Sequence, residues 1–117
     1  IPYWDYDAPV TEETPRDASA ASVTASALIE LSTMVPDGQK YLDYAEKILK
    51  SLSSDAYLAK VGDNQGFILM HSVGSLPNGS EIDTPLNYAD YYYLEALKRF
   101  MELKKLRFEH GELRMIQ

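Results

Sequence analysis

The sequence contains no cysteine, so it can form neither a disulfide nor a thiolate nucleophile or thiolate metal site. Basic residues are few, since 11 lysines and arginines stand against 18 aspartates and glutamates and leave a net charge of −7. This argues against a nucleic-acid partner, because no basic stripe is present to neutralise phosphates. There is no apolar run of roughly 20 residues, so no membrane-spanning segment is predicted. Spacings typical of a phosphate loop, a zinc site or a nucleophile elbow are missing too, and no metal or cofactor is predicted.

What is present is an ordinary globular composition with an excess of tyrosine. The chain has 117 residues, 45% of them hydrophobic, which is enough for one small domain. Nine tyrosines stand against three phenylalanines. Tyrosine joins an apolar ring to a polar tip, so the excess suits half-buried sugar or peptide grooves. Contacts between helices would account for the same tyrosines equally well.

Apolar spacing predicts three helices. The first covers about 16–33 and is rich in alanine and serine, so neighbours can approach it closely. The second covers about 40–53, and the third covers about 87–106, with Asn87 as N-cap and Asp90 in the first turn. The apolar face of the first helix is predicted to consist of Ala20, Val23, Ala27 and Leu31, with a second row at Ala21 and Leu28. That of the third is Tyr93, Leu94, Leu97, Phe100 and Met101.

Two loops carry the unusual residues. One is the opening segment, 1–15, which is dense in aromatics, carboxylates and prolines, and the other is a long glycine-rich segment, 61–85. A short extended piece is expected at 67–71 within the latter. If successive helices run antiparallel, the short turn 34–38 lies at one end of the bundle and both loops meet at the other. Since a loop this long in a compact domain is usually functional, we expect a ligand site where they meet.

Three separated motifs, in this order, resemble the C-terminal part of the unsaturated glucuronyl hydrolases, glycoside hydrolase family 88. They are Tyr-Trp-Asp-Tyr-Asp-Ala-Pro at 3–9, Arg-Asp-Ala-Ser-Ala-Ala at 16–21 and Thr-Pro-Leu-Asn-Tyr-Ala-Asp-Tyr-Tyr-Tyr-Leu-Glu-Ala-Leu at 84–97. The helix start Gly-Gln-Lys-Tyr-Leu and His71 fit the same family. The resemblance implies that 1–107 is the C-terminal segment of a single catalytic domain. Residues 108–117 match nothing in the family and are expected to form a solvated tail.

The resemblance implies an all-α fold, in which helical hairpins form part of an (α/α)6 barrel that is incomplete in this chain. It implies a full-length glycosidase that removes the unsaturated uronic acid from oligosaccharides made by lyases. In that chemistry an aspartic acid protonates the C4=C5 vinyl ether, water adds at C5, and the resulting hemiketal opens. The family's catalytic aspartates lie upstream of the matching segment, so no catalytic residue is assigned and this chain alone is expected to be inactive. The expected partners are an unsaturated oligosaccharide and the missing N-terminal remainder of the barrel.

The segment is expected to supply the substrate-facing rim of the cleft. The candidate substrate-binding residues are Trp4, Asp5, His71, Ser80, Asp83 and Tyr88. By position, 80–83 falls where family members recognise substituents such as sulfate on the sugar after the unsaturated ring. Trp4 and Tyr88 are candidates for stacking on a sugar face.

Each candidate also has a plainer interpretation. Trp4 could be a packed anchor, and Asp5 is expected to order its own loop. His71 would by default be a buried histidine satisfied by a backbone partner. Asp17 is expected to cap the first helix, and Arg16 to brace the opening loop by bidentate pairing.

A second functional hypothesis stays open beside the enzyme segment. The chain could be a non-enzymatic helical module that binds sugar or protein through its loops, either alone or as an oligomer whose copies cover one another's exposed faces. Whether the chain folds by itself separates these hypotheses, because a quarter of a barrel exposes helix faces that are meant to contact neighbouring helices.

Overall fold

The computed structural model describes residues 1–111. It contains three α-helices, α1 (Ala18–Ser32), α2 (Gln39–Leu52) and α3 (Asn87–Glu109), together with one short 3-10 helix at Asn64–Gly66. Over these residues the chain forms isolated antiparallel bridges but no strand. The all-α prediction is confirmed, and the helix boundaries differ from the predicted ones by at most three residues. None of these helices is long and apolar enough to cross a membrane.

Helix α1 is the centre of the fold. It packs against both α2 and α3, whereas α2 and α3 barely touch each other. Alanine and serine side chains extend little from a helix, so the neighbouring helices can lie close to α1. The core combines residues of all three helices: Ala18, Ala21, Ala25 and Ile29 of α1, Leu42, Ala45, Leu49 and Leu52 of α2, and Ala89, Tyr93 and Ala96 of α3.

The buried stripe of α1 differs from the predicted one. The buried positions include Ser19, Ser22 and Ser26 beside the alanines, whereas Val23 is 40% exposed. The prediction followed the larger apolar side chains. The positions that face the two neighbouring helices are instead mostly alanine and serine. Similarly, Leu94 and Met101 of α3 are exposed although the predicted apolar row included them.

The helix directions place the loops as predicted. Arg107, near the end of α3, donates a hydrogen bond to Gln39 at the start of α2, over 3.0 Å. At the other end, the backbone N–H of Val73 in the long loop bonds to Asp17 at the start of α1. The opening segment and the long loop therefore meet at one end of the bundle. We call this end, residues 1–16 and 53–86, the loop pole.

The end of α3 lies beyond the predicted helix. Since α3 continues to Glu109, the first two residues of the predicted tail are helical. His110 caps the helix, and Gly111 follows with a φ of +75°. The remaining tail positions, 112–117, lie outside the described residues.

A polar cluster joins α1 to α3 beside the alanine contacts. The Ser26 hydroxyl donates to Glu95 Oε1 over 2.6 Å. Arg99 Nη1 donates to the Ser26 carbonyl over 3.1 Å and lies 3.3 Å from carboxylate oxygens of both Glu95 and Glu30. This cluster fixes the rotation of α3 about its axis relative to α1.

The cluster predicts an acid-sensitive contribution to stability. The hydrogen bond from Ser26, reinforced by the charge of Arg99, lowers the pKa of Glu95. The folded state therefore binds this proton more weakly than the unfolded chain does. The stabilisation is present above the ordinary glutamate pKa of about 4.3 and is lost as pH falls through the lowered folded value. We expect Glu95→Gln to destabilise the protein near neutral pH and to have a smaller effect at about pH 3, as measured by urea denaturation.

The matched control for this prediction is Glu102→Gln. Glu102 lies on the same helix, but its side chain is 66% exposed and its nearest cation, Lys98, is 4.0 Å away. The control should change the free energy of unfolding little at either pH. An equal loss for Glu95→Gln at both pH values would contradict the role assigned to the Glu95 charge.

Candidate functional site

At the loop pole the opening segment and the long loop line a cleft of about 460 Å³. This lies within the range of small-molecule sites. The opening segment contributes Glu12, Glu13, Thr14, Pro15 and Arg16, the residues after α2 contribute Ala56 and Tyr57, and the long loop contributes His71, Leu76, Ile82 and Asp83. The predicted meeting of the two loops is therefore confirmed. Glu12, Glu13 and Tyr57 were missed from the sequence, because no motif or spacing marks them.

Two of the predicted site residues form a pair in this cleft. His71 Nδ1 lies 2.6 Å from Asp83 Oδ1, and the two side chains are 45% and 58% exposed. The imidazole also meets the ring of Tyr57 edge to face, with the ring centroids 6.0 Å apart. The default expectation of a buried histidine with a backbone partner is wrong, because a carboxylate of the same loop takes its ring nitrogen.

The backbone at this pair adopts an uncommon conformation. His71 has a φ of +64° and Asp83 a φ of +48°, both in the left-handed region. Such a conformation in a residue other than glycine costs on the order of 1–3 kcal/mol and persists only where the surroundings impose it. The cost is lower for aspartate and histidine than for bulkier residues.

Two aspartates at helix starts hold the backbone on either side of His71. Asp90, in the first turn of α3, accepts from the backbone N–H groups of Ile68 and Leu69, each over 2.9 Å. Asp17, the N-cap of α1, accepts from the N–H of Val73 over 3.1 Å. The segment that carries His71 is thus held on both sides by carboxylates.

Backbone pairing completes the support of this segment. The carbonyl of His71 accepts from Ala18 N–H over 3.0 Å, and Ser72 exchanges two bonds with Thr84. Short antiparallel bridges take the place of the extended piece expected at 67–71, with Leu58 opposite Leu69. The predicted cap of α1 by Asp17 is confirmed, whereas the predicted cap of α3 is wrong. Leu86 holds the cap position without a side-chain bond and Asn87 begins the helix, while Asp90 in the first turn binds the long loop.

Arg16 braces the opening segment, as expected. Its guanidinium donates to the Ile1 carbonyl through Nη1 and to Tyr3 Oη through Nη2, the latter over 3.2 Å. It also lies over the Tyr3 ring, 4.0 Å from the centroid. The two donors of one guanidinium therefore reach a carbonyl and a phenol rather than a carboxylate. Two of the guanidinium nitrogens of Arg16 are therefore engaged within the fold, whereas its positive charge remains.

Trp4 and Asp5 lie in a second hollow, of about 400 Å³. Its lining runs from Pro2 to Asp7 and includes Ala20. Asp5 Oδ1 accepts from the N–H of Asp7 over 2.7 Å, a short-range bond that orders the loop. Trp4 is half-buried, and its backbone N–H donates to the Pro15 carbonyl over 3.1 Å.

Ser80 and Tyr88 do not line the cleft. Ser80 is exposed and pairs through its backbone with Ser75, which closes the tip of the long loop. Tyr88 lies in the first turn of α3, where partial burial raises the pKa of its phenol. Of the six predicted substrate-binding residues, the structure brings together His71 and Asp83 in one cleft and Trp4 and Asp5 in another.

No family model matches the chain. It is 50% identical over 103 residues to an unsaturated glucuronyl hydrolase of Formosa agariphila, over 88% of this chain and 26% of that protein. It is 32% identical to one from Bacillus sp. strain GL1, over 85% of this chain and 27% of that protein. Among solved structures, an unsaturated glucuronyl hydrolase specific for heparin matches with 70% identity and a TM-score of 0.87, over 90% of this chain and 28% of that one. The predicted resemblance to unsaturated glucuronyl hydrolases is confirmed.

The chain spans about a quarter of the length of the unsaturated glucuronyl hydrolases that it matches. Its three helices superpose on part of an α/α barrel, so the prediction of an incomplete (α/α)6 barrel is confirmed. A further relative, from Streptococcus agalactiae, was solved in complex with dGlcA-GalNAc6S, and it matches with 31% identity and a TM-score of 0.77 over 86% of this chain and 27% of that one.

Proposed function

We propose that this chain is the substrate-facing rim of an unsaturated glucuronyl hydrolase. The full-length protein would remove the unsaturated uronic acid from oligosaccharides that lyases have produced. One observation carries the proposal: the loop pole forms a cleft of small-molecule size between the opening motif and the long loop, on a segment closely similar to these hydrolases. His71 and Asp83 are the polar groups of the long loop that face a ligand there.

The reaction that we propose begins with protonation of the C4=C5 vinyl ether by a carboxylic acid. Water then adds at C5, and the hemiketal opens to release the next sugar. The acid must be able to return the proton, so its pKa has to lie near the working pH. By resemblance to the family, this acid is an aspartate upstream of the chain, and the present segment binds and orients the sugar.

A solvent-facing apolar stripe on α3 supports a barrel segment over an autonomous binding module. Large apolar side chains along this helix are between 46% and 68% exposed: Tyr91, Leu94, Met101, Leu106 and Phe108. Several of them recur at spacings of three and seven, so they share one helix face. Monomeric proteins rarely leave such a face in water. The remainder of the barrel is the partner that we propose for it.

Three of the four remaining candidates are assigned to sugar contacts outside the His71–Asp83 cleft. Trp4 in the second hollow and Tyr88 at the start of α3 offer aromatic faces for the apolar side of a sugar ring. Ser80, at the exposed tip of the long loop, is placed to meet a substituent on the following sugar. The bond from Asp7 to Asp5 favours loop ordering as the role of Asp5.

We predict that the purified 117-residue chain does not hydrolyse an unsaturated disaccharide, because it lacks the general acid. The full-length protein should turn the same substrate over. Loss of the ultraviolet absorbance of the C4=C5 bond measures both. Turnover by the chain alone would contradict the proposed absence of the acid, and an inactive full-length protein would contradict the proposed function itself.

A further inference from the structure

The pairing of His71 with Asp83 leaves one ring nitrogen for the cleft. Nδ1 is taken by the carboxylate, and among residues 1–111 no hydrogen bond reaches Nε2. A carboxylate only accepts hydrogen bonds at neutral pH, so the neutral imidazole must carry its proton on Nδ1. Nε2 is then an unprotonated acceptor. A free histidine prefers the opposite tautomer, so Asp83 determines the chemical character of the group that the cleft presents.

The strained backbone indicates that this arrangement is specified by the fold. Both residues lie at positive φ, and the carboxylates of Asp17 and Asp90 hold the segment that carries His71. Strain of this kind collects at ligand sites, where it fixes a side chain in one orientation. A partner carboxylate that sets the tautomer of a functional histidine is a recurrent arrangement in protein sites.

The charges around the pair favour the same kind of ligand group. Glu12 and Glu13 line the cleft beside Asp83, and Arg16 is the cation among the lining residues. The Arg16 guanidinium is engaged by the Ile1 carbonyl and by Tyr3. The cleft therefore offers an excess of acceptors and of negative charge.

We propose that Asp83 is a positioning residue for His71, and that together they make this cleft select a hydrogen-bond donor on the saccharide. The donor is a hydroxyl or an ammonium group, and a sulfate at the same place is rejected by repulsion. That the ligand is a saccharide rests on the proposed function. Asp83 belongs to the segment 80–83, for which the family resemblance implies sulfate recognition, so the proposal replaces that role at Asp83 and leaves it to Ser80.

The tautomer of His71 is measured directly by nitrogen-15 NMR of the imidazole in the full-length protein without ligand. Protonated and unprotonated ring nitrogens resonate far apart, and the signals of His71 are identified by their loss in His71→Gln. We expect the wild-type chain to hold the proton on Nδ1 near pH 8, where imidazole is ordinarily neutral. Asp83→Gly should shift the population towards Nε2–H, and Asp83→Asn should shift it less; both residue types tolerate positive φ. Two variants are used because an asparagine amide oxygen can still accept from Nδ1. A wild-type His71 protonated on Nε2, or a population unchanged in Asp83→Gly, would overturn the proposal.

Ligand selectivity is tested on the full-length protein with two unsaturated disaccharides that differ by a single sulfate on the second sugar. We expect the wild type to bind the unsulfated compound more tightly, and Asp83→Gly to reduce that preference about 3- to 10-fold, the range of one hydrogen bond. Tighter binding of the sulfated compound by the wild type would overturn the selectivity. If neither compound binds while the ligand-free tautomer is as expected, the proposed function fails and the positioning role of Asp83 stands.

Discussion

Replacement of Asp17 by alanine is expected to lower the free energy of unfolding by about 2–4 kcal/mol. Asp17 Oδ1 accepts from the N–H and the hydroxyl of Ser19, over 3.0 and 2.6 Å, and from the N–H of Val73 over 3.1 Å. Loss of an N-cap costs about 1 kcal/mol. The buried N–H of Val73 would in addition lose its partner, which costs roughly 1–3 kcal/mol. Urea denaturation of the purified chain measures the sum.

Two variants separate these contributions. Asp17→Asn keeps an acceptor at the cap and should lose less than half as much stability as the alanine variant. Asp5→Ala removes a carboxylate from an exposed turn and should change stability by about 0.5 kcal/mol or less. A loss for Asp17→Ala no larger than that for Asp5→Ala would show that Asp17 does not hold the long loop. Because Val73 follows closely on His71, the alanine variant should also loosen the cleft.

The meeting of the two loops could be predicted because it depends on connectivity alone. A short turn at 34–38 forces α1 and α2 to be antiparallel, and a long connection then returns α3 to the same end as the opening segment. The cap by Asp17 was equally local, since it follows from one side chain at the start of an alanine-rich stretch. Both predictions needed only the order of elements along the chain.

The buried face of α1 could not be predicted from hydrophobicity. In a helix with neighbours on two sides, the positions of closest approach take alanine and serine, and Val23 is left at the surface. Leu94 and Met101 of α3 are the converse case, because they are large and apolar but exposed. Their apolar pattern is suited to contacts with the proposed remainder of a barrel, of which this chain matches about a quarter.

The candidate site was only partly predictable, because its geometry comes from distant hydrogen bonds. His71 and Asp83 were selected from the sequence, but their pairing spans 12 positions and needs both residues at positive φ. The segment that carries His71 is held by Asp17 and Asp90, which stand at the starts of two different helices. Glu12 and Glu13 face the same cleft through the fold of an irregular segment that has no periodicity to interpret.

Gly38→Ser is the second substitution with a large expected effect. Here the capping preference and the packing predict opposite changes in the free energy of unfolding. Gly38 is the N-cap of α2, a position where serine ordinarily stabilises a helix slightly more than glycine does. A Cβ atom at this position, however, would lie 1.8 Å from the carbonyl oxygen of Ser32 and 2.9 Å from its Cα. Both are backbone atoms of the end of α1, so no rotation of a side chain relieves the overlap. The turn between α1 and α2 would have to open.

Opening this turn should cost roughly 2–4 kcal/mol, because the start of α2 would move away from its packing partners on α1. The control is Gly62→Ser, which removes a glycine where nothing lies within 4 Å of the new Cβ and leaves only the cost of a φ of +91°. That cost is about 1–2 kcal/mol. Urea denaturation of the two variants should therefore place Gly38→Ser below Gly62→Ser in stability. A Gly38→Ser chain as stable as the wild type would mean that α1 and α2 are not in close contact at this turn, and the close packing of the three helices would then need to be revised.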